Sequence, residues 1–242
     1  MKFYFSKIEQ TIQRIKRDSS YKLDRDMRFV DLISLIRYRF VDYFRGCLYR
    51  IKLGNAGKNL FIGRHVRIKH PKKVFVGSGV SIDSFVMIDA LSTQGVTLGD
   101  NVSIGAFTII KVTGIISDLG VGFIIGDNSN LGQYCFVGAA GGVKIGNNVL
   151  IGQRVSFHSE NHIYHDTKKP IKEQGTNRKG IEIHDDCWIG GSVTILDGVI
   201  VNKGSVIAAG SVLINDVPPY TVVGGVPARV IIDRLENVKN EE

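Results

Sequence analysis

Six aliphatic residues, Ile183, Ile189, Ile195, Val201, Ile207 and Leu213, follow one another at intervals of six. The same interval joins Ile145, Ile151 and Phe157, then Ile125, Leu131 and Val137, and Leu98, Ile104 and Ile110. It recurs further upstream at Val76, Ile82 and Ile88 and at Ile62 and Ile68. Four places after these residues the side chains are small or β-branched, as at Ser129, Cys135, Gly141, Val149, Val155, Cys187, Val193, Val199, Ser205, Ser211 and Val217. Glycine often stands directly after the aliphatic, at Gly99, Gly105, Gly126, Gly132, Gly138, Gly146, Gly152 and Gly190. A helix repeats its apolar face about every 3.6 residues and a strand alternates, so neither sustains a period of six. A short flat strand followed by a corner does. The aliphatic then points inward, the small residue fits a narrow interior, and glycine tolerates both corner dihedrals and close backbone approach. Three such faces make a triangular coil, and stacked coils share one core that must be covered at its open ends. The expected fold class is all-β, a parallel β-helix with a small N-terminal helical segment.

The register breaks carry information of their own. Two extra residues lie between Val137 and Ile145, nine between Ile110 and Ile125, and twenty between Phe157 and Ile183. A loop of the last length in a tight array is usually functional or disordered.

Composition divides the chain near residue 54. Of the 28 glycines only Gly46 precedes it. Residues 1–52 hold 13 Lys+Arg against 6 Asp+Glu, whereas the remainder holds 18 against 17, so the formal charge of +8 belongs almost wholly to the N-terminal segment. That argues against a nucleic-acid partner for the whole protein and for a local contact with an acidic surface or membrane. The expected division is therefore 1–53, a helical cap or membrane-contact segment; 54–219, the β-helix with an active-site loop at 158–182; and 220–242, a strand and helix tail. Residues 1–17 and 28–51 read as helices. In the second, Asp31, Ser34, Asp42 and Arg45 share one arc flanked by Arg39 and Arg50, opposite Phe29, Ile33, Ile36, Phe40, Tyr43, Phe44 and Cys47, with Arg37 near the edge. Such a helix either caps the open first coil or rests on an anionic membrane. Charged residues interrupt Phe29–Ile51 too often for a membrane span, MKFYFSK lacks the apolar run of a secretory signal, and three cysteines form no spaced framework. The expected location is cytoplasmic, with the inner face of the membrane as the alternative.

The repeats, with IGNNVLIG at Ile145–Gly152 and CWIGGS at Cys187–Ser192, resemble the hexapeptide-repeat acyltransferase family. The run AAGSVLINDVPPYTVVGGVPARVI at Ala208–Ile231 is similar to the end of maltose- and galactoside-type O-acetyltransferases, and of acetyltransferases from surface-polysaccharide pathways. The resemblance spans about residues 54–232 and is strongest from 143. It implies left-handed coil connections, a homotrimer with active sites between neighbouring prisms, and acetyl-CoA as acetyl donor.

The long excursion opens with FHSENHIYHD at Phe157–Asp166, and Asn161–His165 resembles the family's loop motif around a catalytic histidine. By that match His162 is the general base. A sugar hydroxyl is a poor nucleophile until a positioned base takes its proton, and imidazole titrates near neutral pH. Attack on a thioester needs a fixed donor for the developing oxyanion, and the matching position is the backbone of Gly191. The resemblance runs acetyl-CoA past Gly191 and Ala209 and places Arg229 near its phosphates. Where the family carries Thr-Lys this chain has Ile214-Asn215, so Asn215 stands where one phosphate contact departs from the pattern. His158 and His165 are candidate supporting contacts to the acceptor, as is Trp188, the only tryptophan, whose alternative is core or subunit-interface packing. The three loop histidines could instead ligate a metal; their clustering in one loop differs from related metal-binding β-helices, and no metal is expected. The leading expectation is an O-acetyltransferase acting on a sugar or a surface-polysaccharide intermediate, free or lipid-linked. The alternatives are N-acetylation of an amino sugar and a non-catalytic scaffold.

Overall fold

The computed structural model describes residues 2–16, 19–24 and 26–238. From Asn55 onward the chain winds through short strands that fall in turn on three faces. Face A takes residues 55–56, 74–76, 96–98, 123–125, 143–145, 181–183 and 200–201. Face B takes 61–62, 81–82, 103–104, 130–131, 150–151, 188–189 and 206–207, and is closed by Thr221–Gly225 and Ala228–Asp233. Face C takes 67–69, 87–89, 109–111, 136–138, 156–158, 194–196 and 212–213. Successive coils pair in parallel, and their register lines the aliphatics into columns. Leu98, Ile125, Ile145, Ile183 and Val201 stack on face A; Ile104, Leu131, Ile151, Ile189 and Ile207 on face B; Ile110, Val137, Phe157, Ile195 and Leu213 on face C. All are buried in one continuous core. Burying one such side chain stabilises the fold by about 1.5–3 kcal/mol, which is why the period survives through every register break.

Of the two roles expected for the glycines that follow the aliphatics, close backbone approach holds and the unusual corner dihedral does not. The left-handed residue falls two places later, at Asn101, Phe107, Asn128, Tyr134, Asn148, Arg154 and Ser192. What excludes a side chain is the neighbouring coil. A Cβ on Gly105 would lie 2.6 Å from the Gln133 nitrogen, and one on Gly152 would lie 2.7 Å from that of Gly191. The corner between faces A and B is pinned instead by side-chain oxygens. Asp127 Oδ1 accepts the Asp100 N–H at 2.7 Å, Asn147 Oδ1 that of Asp127 at 2.8 Å, and Asp185 Oδ1 that of Asn147 at 2.7 Å. Cys135 and Cys187 fill core positions, and burial pushes the Cys135 thiol up to about 11.

Two helices precede the coils, α1 (Lys2–Lys16) and α2 (Phe29–Arg50). Met1 and Arg17, the ends of the expected first helix, lie outside the described residues. α2 sits on the first coil, but through its polar side. The Arg45 guanidinium donates to the Ile62 carbonyl at 2.6 Å, the Tyr49 hydroxyl to that of Val66 at 2.9 Å, and Arg39 to Ser81 Oγ at 2.9 Å. Gly46 is buried, and a Cβ there would collide with the Leu60 carbonyl oxygen. The cause is the geometry of an array end. Within the array each coil bonds to both neighbours, as Phe61 N–H does to Val80 and Phe85 N–H to Arg64, so the first-coil carbonyls that point outward, those of Ile62 and Val66 among them, have no coil to donate to them. Backbone acceptors of that kind need donors, and the helix supplies them. Among the described residues no helix is long and apolar enough to cross a membrane.

Candidate active site

The long excursion leaves face C and rejoins face A, and it is shorter at both ends than the expected 158–182. His158 still belongs to the strand Ser156–His158, and Ile181 already belongs to Ile181–Ile183, which leaves 159–180. Its entry is fixed by Ser159, whose buried hydroxyl donates to the Gly138 carbonyl at 2.9 Å and accepts the Gly141 N–H at 2.9 Å. Its exit is fixed by Asp197, whose Oδ1 accepts the N–H groups of Lys179 at 2.9 Å and Gly180 at 2.8 Å. Between them the two limbs form an antiparallel ladder, Asn161 opposite Asn177 and His162 opposite Thr176, extended by Ile163 N–H to the Gly175 carbonyl at 3.0 Å. His162 is thus held in the neck of the loop, with its side chain exposed.

The neck is clamped from the side by residues that the sequence pattern did not reveal. Arg178, with its side chain only 17% exposed, donates from Nε to Glu160 at 2.5 Å and from Nη1 to Asp118 at 3.0 Å. Asp118 lies in the nine-residue insertion between Ile110 and Ile125, so one guanidinium ties both excursions together. Arg178→Ala should lower kcat by about 10- to 100-fold, the usual cost of a small misplacement of a reacting group. Arg178→Lys should restore only part of it, and thermal melting should barely change. Steady-state kinetics beside a melting curve decide; an unchanged kcat would show that the clamp does not position the histidine.

The other loop histidines have separate surroundings. The His158 ring packs tilted against Phe136 with centroids 5.6 Å apart, and the His165 ring lies 4.6 Å from that of Tyr164. Among the described residues no group of three or more His, Cys, Asp or Glu side chains is placed to hold a metal ion.

Gly191 and Ala209 occupy a different corner, between faces B and C. There a backbone ladder runs from Arg154 N–H to the Gln133 carbonyl, from Ser192 to Gln153, and from Gly210 to Gly191, at 2.8, 2.8 and 2.9 Å. Descending it, the paired corner residues change from Gln133-Tyr134 and Gln153-Arg154, which line an open cleft, to Gly191-Ser192 and then Ala209-Gly210. The side chains fall away and leave a strip of bare backbone. A Cβ at Gly191 would come within 3.5 Å of Gln153, so that strip is walled on one side. Asn215 and Arg229 meet in one cleft at the end of the prism with Ile214, Asp216 and Val230. The Arg229 guanidinium also donates to the Ala228 carbonyl at 2.8 Å. Trp188 stands on face B in register with Leu150 and Val206, 57% exposed. Within one chain the width of face C separates the corner that carries His162 from the corner that carries Gly191.

A triangular β-helix with an ordered histidine loop at one corner and a bare backbone strip at the next defines a class of protein, and comparison with known proteins agrees. Residues 180–215 match the family model "Bacterial transferase hexapeptide (six repeats)", and residues 122–153 match "Hexapeptide repeat of succinyl-transferase". A Mycobacterium tuberculosis protein named "Probable acetyltransferase" is 26% identical over 92% of this chain and 70% of its own length. Galactoside O-acetyltransferase of Escherichia coli is 40% identical over 37% of this chain and 43% of its own length. Apart from the mycobacterial protein, the matches to such relatives span 43% to 57% of their length. The crystal structure of AntD, an N-acyltransferase from Bacillus cereus in complex with dTDP and 3-hydroxybutyryl-CoA, superposes with a TM-score of 0.54 at 20% identity, covering 81% of this chain and 93% of that one, and so shares the fold. The resemblance read from the repeats therefore holds: they are those of the hexapeptide-repeat transferases. The relatives matched in this way are named as acetyltransferases.

Proposed function

We propose that this protein is a left-handed β-helix O-acetyltransferase that moves an acetyl group from acetyl-CoA to a hydroxyl of a sugar or surface-polysaccharide intermediate, free or lipid-linked. The observation that carries this reading is the pairing of a stapled loop histidine on one corner with a side-chain-free backbone strip on the next. Acetyl-CoA supplies an acetyl group activated as a thioester. His162 takes the proton from the acceptor hydroxyl as its oxygen attacks, and returns it to the departing sulfur. The Gly191 N–H faces the charge that develops on the carbonyl oxygen. The strip at Gly191 and Ala209 gives the pantetheine arm backbone to lie against, and the Asn215–Arg229 cleft at the prism end receives the phosphates. Trp188, His158 and His165 border the acceptor. In this reading the β-helix from residue 54 carries the chemistry together with Arg229, α2 covers the first coil, and the strands Thr221–Gly225 and Ala228–Asp233 close face B.

Because the His162 and Gly191 corners of one prism face apart, a complete site takes its histidine from one protomer and its donor strip from the next. The working unit is then a homotrimer. Light scattering combined with acetyl-CoA turnover on a panel of saccharides tests this: a trimer that releases CoA only in the presence of an acceptor is expected, and a monomer with full turnover would overturn it. A second reading, transfer to an amino sugar, is suggested by AntD, an N-acyltransferase whose S84C mutant is known in complex with dTDP-4-amino-4,6-dideoxyglucose and coenzyme A. A deprotonated amine needs less help from a base, so that reaction would depend less on His162.

A further inference from the structure

α2 turns its apolar side away from the protein it is fastened to. Val30 and Phe40 are each 69% exposed, Phe44 61%, and Ile51, just past the helix end, 78%. With Ile33, Val41 and Leu48, also exposed, they form one stripe at three- and four-residue spacing. The opposite arc, with Arg45, Gly46 and Tyr49, is the one seated on the first coil. The stripe is therefore held outward by hydrogen bonds on its far side, and a contiguous apolar patch of this kind marks a surface meant to be covered.

Charge identifies what covers it. Arg37 lies within the stripe, Lys52 follows the helix end, and residues 1–52 carry seven more basic than acidic groups while the remaining residues carry one more. No acid shares the stripe: Asp31 pairs with Arg28, and Asp42 with Arg45 on the inward side. A dry seam against a second copy would bury Arg37 without an acidic partner from the same stripe, which is costly. At a lipid surface the same residue keeps its stem among apolar groups and its guanidinium among phosphates.

We propose that this face of α2 is a docking surface for an anionic lipid bilayer, with the helix lying in the plane of the headgroups and the prism projecting away from it. The proposal does not depend on acetyl transfer, although it would bring a lipid-linked acceptor within reach. The test is co-sedimentation of the full-length protein with phosphatidylcholine vesicles, with or without phosphatidylserine, at low and high salt. Expected is binding to the anionic vesicles that weakens as salt screens the charges. Phe40→Glu/Phe44→Glu should reduce it at least about tenfold by removing apolar contact. Arg37→Glu, which keeps the apolar face, should reduce it as well. Oligomeric mass and transfer to a soluble acceptor should be unchanged in both variants. Failure to bind anionic vesicles at low salt, or binding by the double variant equal to that of the parent, overturns the proposal. So does a changed oligomeric mass in the double variant, which would make the face an interface between copies. An inactive protein that still binds vesicles would sink the acetyl-transfer reading and leave this one standing.

Discussion

His162→Ala lowers acetyl transfer by about 10²–10⁴-fold, the worth of a positioned base, and leaves the melting temperature where it was. The two halves of that expectation rest on different facts. The side chain is exposed, so its removal leaves no cavity, and the neck around it is held by the backbone pairing with Thr176 and by Ser159, Asp197 and Arg178. The loss should therefore appear in kcat rather than in folding. His158→Ala and His165→Ala should cost much less, since each of those rings packs against an aromatic neighbour on its own side of the neck. Kinetics of the three variants with one acceptor decide the matter. Activity of His162→Ala within a few-fold of the parent would remove the histidine from the chemistry.

Phe157→Ala strikes the fold and the site together. Its ring is fully buried, in register with Val137 above and Ile195 below, and is among the largest side chains in a core otherwise built mostly from aliphatics. Truncation leaves a cavity in a column whose neighbours are fixed by backbone pairing and cannot collapse into it. The expected cost is about 3–5 kcal/mol. Ser159, two residues on, anchors the loop that carries His162, so on the proposed mechanism activity should fall at temperatures where the prism still holds. Thermal unfolding followed alongside activity tests this; a midpoint within a degree or two of the parent's would mean that the column is not close-packed.

The inward face of the prism could be read from the sequence because burial imposes its period on residue type. Ile125, Leu131 and Val137 announce three faces by spacing alone. The function of the glycines was only half legible. The close approach expected at Gly152 is met by the Gly191 nitrogen, but the left-handed corner falls at Arg154, two places later. The orientation of α2 was not legible at all. A helical apolar period shows that the helix has an apolar side, and the expectation of a cap turns that side inward. The open end of this array presents carbonyls, of Ile62 and Val66 among them, and those call for Arg45 and Tyr49 rather than for leucines. The loop was located by its length and its histidine by resemblance. The clamp at Arg178 was hidden, because Asp118, Glu160 and Arg178 are charged loop residues with no period to connect them.

The central claim is that the acetyl group goes to oxygen. Protein incubated with labelled acetyl-CoA and a saccharide that offers both hydroxyls and a free amine should transfer label that mild alkali then releases, because esters hydrolyse under conditions that leave amides intact. His162→Ala should abolish that alkali-labile product. Label that survives alkali and still forms in the His162→Ala variant would contradict the account and assign the protein to amine acetylation.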